Sequence, residues 1–354
     1  MIVVWCVRIA LFAAFLLIWQ YNGALLDWLF GGSGYWLLFS SPTQIASALA
    51  HMVTTGRVFP QIILTTVEIL SAFAIGAALA LPFGALLAAS SCVTLVLRPF
   101  IQVLDAVPRL VLMPVFLIAL GLAISSKIAF GAFLAFSVVL IEICAALSRP
   151  PAAVSTTTAD AGRSPGLGRW SIFIDAWMTG LRPAMRYCFA GIVIGEYLGS
   201  SNGLGFQIEN ALQMLDTPTM YAALVLLTAL AALFDAFASK GSWTAIVACF
   251  GKYAVFDGRS PRSEVWSFVL FYVLVNFLAG ALAGDVLIVR IVVALALFLP
   301  MLSVQVRRLH DVGRSGLWVL IGFIPIIGDL VLLFWYCVPG DPDKNQYGEA
   351  PPRA

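Results

Sequence analysis

Long apolar runs separated by short polar stretches set the pattern of this chain. Runs that approach the roughly 20 residues a bilayer crossing needs fall near 2–21, 62–89, 100–123, 128–147, 186–199 with its flanks, 220–238, 264–283, 286–306 and 316–338. Strict apolar–polar alternation is absent. The runs therefore predict helices rather than barrel strands, since a helix satisfies its own backbone polar groups in lipid. The predicted fold is all-α, a polytopic inner-membrane helical bundle of about nine transmembrane helices, six in the first part and about three in the last. The first run is expected to stay as a span, because Gln20-Tyr21-Asn22 follow it in place of a small-residue cleavage site. The last run contains Ile324-Pro325-Ile326-Ile327-Gly328 and fits either one span or a re-entrant hairpin, which leaves the side of the C-terminus open.

Composition agrees with lipid as the solvent. Of 354 residues, 61% are apolar and 11% charged, too few charges to cover a soluble globule. A net charge of +2 supplies no basic field for nucleic acid. The cysteines Cys6, Cys92, Cys144, Cys188, Cys249 and Cys337 lie scattered, mostly inside apolar runs and without ligand spacing. They read as small packing residues. His51 and His310 are far apart, so no metal site is expected. The phosphate-cradling Gly-x-x-x-x-Gly-Lys-Ser/Thr is missing, as are Gly-x-Ser-x-Gly and His-Glu-x-x-His. No enzymatic chemistry and no cofactor are expected of this chain.

The cations are distributed unevenly. With the N-terminus cytoplasmic, the inner loops carry Arg98, then Arg149, Arg163, Arg169, Arg182 and Arg186, then Lys240, Lys252, Arg259 and Arg262, then Arg307, Arg308 and Arg314. The outer loops carry little beyond Arg57 and Lys127. That asymmetry fixes the orientation. Two breaks in composition, at 148–185 and 239–263, divide the chain, and the second places a domain boundary between residues 1–240 and 241–354.

The stretch 148–185 is too long for a plain connector. Thr156–Asp160 offers helix-start chemistry, Pro165-Gly166 predicts a turn, and an amphipathic helix is expected to follow into the next span. Its residues resemble the Glu-Ala-Ala loop of ABC-importer permeases. Asp160 takes the Glu position, Ala161 and Gly162 the two Ala positions, and Gly166 the glycine. Arg169-Trp170 and Pro183 match later family positions, while Met178-Thr179 stand where Leu-Pro is usual. The resemblance implies that this loop docks on a separate cytoplasmic ABC ATPase. Further pieces resemble the nitrate/sulfonate/taurine branch, in order over about 40–240: Ser41-Pro42-Thr43, the proline-broken Leu104–Pro114, Gly121–Lys127, and Gly195-Glu196-Tyr197-Leu198-Gly199 with Asn202-Gly203-Leu204-Gly205. A multi-pass bacterial inner-membrane protein working as a homodimer is implied, with a periplasmic solute-binding protein as a further partner.

Glu68, Asp105, Arg109, Glu142 and Glu196 lie in or at the ends of apolar runs. A charge at mid-bilayer costs roughly 2.5–3.5 kcal/mol on insertion scales, so such groups face a partner or a wet cavity. Asp105, Pro108, Arg109 and Glu196 are therefore candidates to line a translocation route; interhelical pairs that hold the bundle together are the competing explanation. Gly76, Gly84, Gly191 and Gly195 read as helix-packing contacts.

Residues 250–348 carry a different signature. Phe256-Asp257-Gly258-Arg259-Ser260-Pro261-Arg262-Ser263-Glu264 opens it, Arg307-Arg308-Leu309-His310-Asp311-Val312-Gly313-Arg314 follows two spans later, and Asn345-Gln346-Tyr347-Gly348 closes it. This closely resembles domain of unknown function 805, a small bacterial inner-membrane family, and implies a membrane fold without a known activity. Both motif loops are expected on the cytoplasmic side, bringing Arg259, Arg262, Arg307, Arg308 and Arg314 near Glu264, His310 and Asp311. That cluster reads either as a site for an anionic headgroup or phosphate, or as an Arg–carboxylate network tying the loops together. The leading function is a permease subunit of an ATP-driven importer. Its rivals are a non-transporting membrane scaffold dominated by the second half, and an unaided channel or carrier.

Overall fold

In a computed structural model the described residues are 2–21, 28, 40–148, 165–283, 287–324 and 327–351. They are almost entirely helical: α1 (Ile2–Gln20), α2 (Pro42–Thr54), α3 (Val58–Ala89), α4 (Ser91–Ala106), a 3-10 turn (Arg109–Leu112), α5 (Met113–Leu120), α6 (Ile124–Leu147), α7 (Pro165–Gly199), α8 (Leu204–Gln213), α9 (Thr217–Phe237), α10 (Lys240–Gly251), α11 (Arg262–Ala283), α12 (Leu287–Asp311), a 3-10 segment (Gly316–Phe323) and α13 (Ile327–Cys337). The chain is a polytopic helical bundle. By length and composition α3, α6, α9 and α12 are each able to cross a membrane; α4 and residues 109–120, bent by 80° at the break between them, form either a broken fifth span or a re-entrant loop.

Local sequence explains the starts and breaks. Ser41 caps α2 through a capping box: its hydroxyl accepts from Gln44 N at 3.4 Å, and Gln44 Oε1 accepts from Ser41 N at 2.9 Å. Pro42 fills the first turn, where its missing N–H costs nothing. The expected proline break in the third run is present: α4 stops at Ala106, Pro108 precedes the 3-10 turn, and Pro114 opens α5.

Pro165-Gly166 was expected to turn, but Pro165 is instead the first residue of α7, a 35-residue helix that runs through Pro183 to Gly199. Proline favours the first helical position because its φ is preset and its absent donor would be unpaired there anyway.

Two compact units are present. The first comprises Met1–Phe83, Cys92–Ile141 and Arg186–Leu233; the second comprises Gly84–Ser91, Glu142–Met185 and Phe234–Ala354. In the first, α3, α6 and α7 pack closely. A Cβ at Gly76 would press on Ala135 Cβ at 2.7 Å and Phe136 N at 2.9 Å, so glycine there brings α3 onto the backbone of α6. Met113, Phe130 and Leu134 form a fully buried cluster beside them.

In the second unit Cys249, Val265, Phe268, Leu297, Val304 and Leu309 form a core shared by α10, α11 and α12, with Leu332 and Tyr336 of α13 against it. Full burial of a side chain such as Phe268 is worth about 1.5–3 kcal/mol. The final apolar run is a hairpin rather than one span. The Trp318 and Trp335 rings stand 5.6 Å apart, and Gly328 rests on the Ile321 carbonyl. Both ends of the hairpin return to the C-terminus of α12, where Arg314 lies 5.5 Å over the Trp335 ring and Asp341 N donates to Asp311 O at 2.8 Å. The C-terminal segment therefore sits at the same end of the second unit as residues 258–264.

Candidate functional site

In the first unit Glu68 of α3, Lys127 of α6 and Glu196 of α7 form one buried cluster. Glu196 is fully buried. Its Oε1 accepts from Thr65 Oγ1 at 2.6 Å and its Oε2 from Gly205 N at 2.8 Å. Leu204 N donates to Thr65 Oγ1 at 3.0 Å, and Gly203 N donates to Gln61 Oε1 at 2.5 Å. Side chains from α3 and α7 thus cap the amides at the N-terminus of α8, where a carboxylate also complements the helix dipole. Gly203 holds φ +110°, and a Cβ there would collide with the Glu196 carboxylate, which explains the glycine at that point of the motif. Beside this cap, Lys127 Nζ pairs with Glu68 Oε1 at 2.5 Å and donates to Ser200 Oγ at 3.0 Å. Both partners of that ion pair are buried.

Lys127 was expected in an outer loop. It lies instead in the first turn of α6 and is buried against Glu68, because the partner carboxylate offsets the desolvation of its ammonium. Thr65 and Gln61 escaped notice as well. Gln61, Thr65 and Glu68 are spaced four and three apart, which puts them on one helix face; that stripe was the available signal.

Asp105 and Arg109 form a separate cluster at the proline break. Arg109 Nη2 meets Asp105 Oδ1 at 3.3 Å, and Arg109 Nη1 donates to Ser137 Oγ at 3.2 Å. The Arg109 guanidinium lies 5.1 Å over the Tyr187 ring. Arg109 is buried, whereas the Asp105 side chain is 59% exposed. Pro108 caps the 3-10 turn between the two helices.

Of the expected coupling loop, Asp160, Ala161 and Gly162 lie outside the described residues, and Gly166 is in the first turn of α7. Arg169 Nη2 donates to Leu87 O at 2.7 Å and Arg169 Nε to Ala88 O at 3.1 Å, closing the open carbonyls at the C-terminus of α3. Trp170 is partly exposed and meets Phe173 edge-on at 5.8 Å. One residue before Pro183, Arg182 forks onto Asp235 of α9 at 2.7 and 3.2 Å.

In the C-terminal motif the network reading holds for three arginines. Arg259 Nε donates to Asp311 Oδ1 at 2.9 Å, and its remaining donors reach the carbonyls of Asp341, Asp343 and Gly348. Arg307 binds Glu264 Oε1 at 3.2 Å, Ser260 Oγ at 2.9 Å and Val255 O at 2.6 Å. Arg308 engages Asp311 Oδ2 and the carbonyls of Tyr336 and Val338. All three side chains are 1% exposed, so these guanidiniums are spent inside the protein. His310 Nδ1 lies 3.1 Å from Gly258 O, and its ring stacks on Tyr347 at 3.9 Å. Two arginines leave the network: Arg262 is exposed and donates to Cys337 O at 3.1 Å, and Arg314 packs on Trp335. Among the described residues no group of three or more His, Cys, Asp or Glu side chains is placed to hold a metal ion.

Comparison with known proteins matches two families in succession along the chain, a division that differs from the two compact units, since residues 84–91 and 142–185 of the first match fall in the second unit. Residues 80–239 match the family described as binding-protein-dependent transport system inner membrane component, and residues 253–349 match the protein family of unknown function DUF805. The inner membrane protein YhaI of Escherichia coli K12 is 41% identical over 107 residues, 28% of this chain and 87% of that protein. A probable ABC transporter permease protein of Brucella melitensis is 24% identical over 226 residues, 60% of this chain and 90% of the relative. The putative aliphatic sulfonates transport permease protein SsuC of Bacillus subtilis is 26% identical over 242 residues, 66% of this chain and 84% of SsuC. No solved structure matches the chain.

Proposed function

We propose, for a chain that belongs to the DUF805 family through residues 253–349 and is, through residues 80–239, a transmembrane permease subunit of an ABC transporter, that it imports a small solute of the nitrate, sulfonate or taurine class. Two copies would face each other in the inner membrane, each receiving force from a cytoplasmic ATPase, with a periplasmic protein delivering the solute. Residues 1–240 would form the permease domain and 241–354 an accessory membrane domain.

The observation that carries this reading is α7. It starts at Pro165, directly after the segment holding Asp160-Ala161-Gly162, and continues to Glu196, whose carboxylate caps α8. A displacement of its first turns by an ATPase would pass along one helix to the buried Glu196–Thr65 lock. Arg169, fastened to the end of α3, would make the α3 terminus move with it. Asp105, exposed beside an 80° break, is the residue of the translocation set best placed to meet solvent or solute in this conformation.

The test is cross-linking in intact cells from a cysteine at position 163. An adduct identified as an ABC ATPase supports the coupling; its absence, with 163 reached by cytoplasmic reagents, removes it. Uptake of labelled taurine, alkanesulfonate and nitrate by cells with and without the protein then reads the solute class.

A further inference from the structure

Arg109 is a buried cation whose countercharge lies outside. Its guanidinium is held by a hydroxyl and a ring: Nη1 donates to Ser137 Oγ of α6 at 3.2 Å, and the Tyr187 ring of α7 is 5.1 Å away. Ser137 is fully buried and gives its own proton to Leu134 O at 2.9 Å, which fixes it as an acceptor toward Arg109. The balancing carboxylate is Asp105, which reaches Nη2 through Oδ1 at 3.3 Å, longer than the about 2.7–2.9 Å of a tight charge-assisted bond.

The pair differs from the other buried ones. Lys127–Glu68, Arg307–Glu264 and Arg308–Asp311 each bury both members. Here the cation is 8% exposed and the carboxylate 59%. A pair kept only to hold helices together has no need of an anion that stands in the open. The chain also breaks between the two: α4 stops at Ala106 and Pro108 precedes the turn that carries Arg109, so no continuous helix keeps them in register. Because the Asp105 carboxylate meets Nη2 from an exposed position, the place it occupies is open to another anion.

The approach to that place is polar. Arg98, Gln102 and Asp105 are spaced four and three apart on one face of α4, and all three are exposed. Val96, Phe100 and Val103 repeat the spacing on the opposite side and are also exposed. A charged face turned to hydrocarbon is costly, so the apolar stripe suits lipid and the polar stripe suits water.

We propose that Arg109 is the seat for the oxyanion of the imported solute, with Asp105 holding the seat between passages and leaving it when a nitrate- or sulfonate-type group arrives. The exchange swaps one singly charged oxyanion for another, so the buried guanidinium stays compensated throughout. A neutral solute cannot displace Asp105 without leaving that charge uncompensated. The use of the seat rests on the import reading, but its occupancy is measured without transport.

The full-length protein is placed in nanodiscs at constant sodium chloride, and binding of labelled ethanesulfonate is measured by equilibrium dialysis, with nitrate and the neutral ethanesulfonamide as competitors. Nitrate is expected to compete and ethanesulfonamide not. Asp105→Asn vacates the seat and is expected to tighten ethanesulfonate binding about tenfold, the worth of one hydrogen bond to a charged group. A carboxylate with a merely structural role would not improve anion binding when removed. Arg109→Gln, alone and combined with Asp105→Asn, is expected to abolish binding. Asp105 is exposed, so Asp105→Asn decides the matter even if the buried Arg109→Gln fails to fold. Binding in Asp105→Asn no tighter than in the wild type, or binding that survives in the double variant, overturns the proposal. Uptake of ethanesulfonate by cells separates the two readings: uptake with binding that ignores both residues removes the seat alone, and a seat that behaves as expected without uptake removes import alone.

Discussion

Glu196 of α7 accepts a 2.6 Å hydrogen bond from Thr65 of α3, and both side chains are fully buried. The same hydroxyl and the same carboxylate each also receive an amide from the first turn of α8. Removing the carboxylate therefore strands two donors at once, and a buried unsatisfied polar group costs about 1–3 kcal/mol. Glu196→Ala is expected to lower the thermal midpoint of the purified protein in detergent by several degrees. Glu196→Gln keeps a carbonyl acceptor and should lose less than half as much. Equal losses in the two variants would show that the carboxyl group's acceptors are not what holds α8.

Lys127 and Glu68 give a second stability prediction, with a different sign pattern. Each is buried, and each is the counter-charge of the other at 2.5 Å. Breaking such a pair by removing one member costs about 3–5 kcal/mol, because the remaining charge is left uncompensated, whereas replacing both by apolar groups of similar size is often neutral. Lys127→Met and Glu68→Leu should each reduce folded yield and midpoint strongly, and the double variant should recover most of the loss. A double variant as poor as the sum of the singles would place the main partner of each residue elsewhere.

Gly203 and Gly258 both hold left-handed backbone, at φ +110° and +87°, but only Gly203 is crowded. Alanine at Gly258 meets open space and pays only for the left-handed conformation, about 1–2 kcal/mol. Alanine at Gly203 adds a collision with the Glu196 carboxylate to that cost. Midpoints measured side by side should fall at least twice as far for Gly203→Ala as for Gly258→Ala.

Apolar run length and proline position made the helical bundle and its 80° break readable from sequence, because in lipid those features have few other outcomes. What was not readable depended on partners far along the chain. Lys127 looks like a loop cation until Glu68 is seen beside it, a contact between residues on different helices. Pro165-Gly166 has the composition of a turn, and only the helix that follows shows Pro165 to be its first residue. The arginine motif allowed two readings, and the carbonyls of residues 336–348 decided for Arg259 and Arg308 by filling their donors. Glu196 was singled out as a route-lining candidate from its place in an apolar run; its role as a cap on α8 required knowing that Gly205 turns back toward it.

Arg169 tests the mechanical part of the proposed function. Its fork binds two consecutive carbonyls at the end of α3, a geometry a lysine ammonium does not reproduce. Arg169→Lys and Arg169→Ala should both assemble with the ATPase, since the contact is internal. Both are expected to cut ATP-driven uptake about tenfold or more, with solute-free ATP hydrolysis retained. Loss of ATPase binding in Arg169→Lys would instead place this side chain in the docking surface itself.

The hairpin formed by residues 316–337 fixes where the C-terminus lies. Trp318 against Trp335, and Asp341 N on Asp311 O, return the chain to the end of α12 at which it left. Had the run crossed as one helix, Asp257 and Lys344 would face opposite compartments; as a hairpin they share one. Both are exposed, so single cysteines at these positions are readable with a membrane-impermeant maleimide on right-side-out and inverted vesicles. Labelling of positions 257 and 344 is expected only from the cytoplasmic face, as the distribution of Arg259, Arg262, Arg307 and Arg314 requires. Labelling from opposite faces would mean that the final run spans the membrane, and it would separate Asp341 from Asp311.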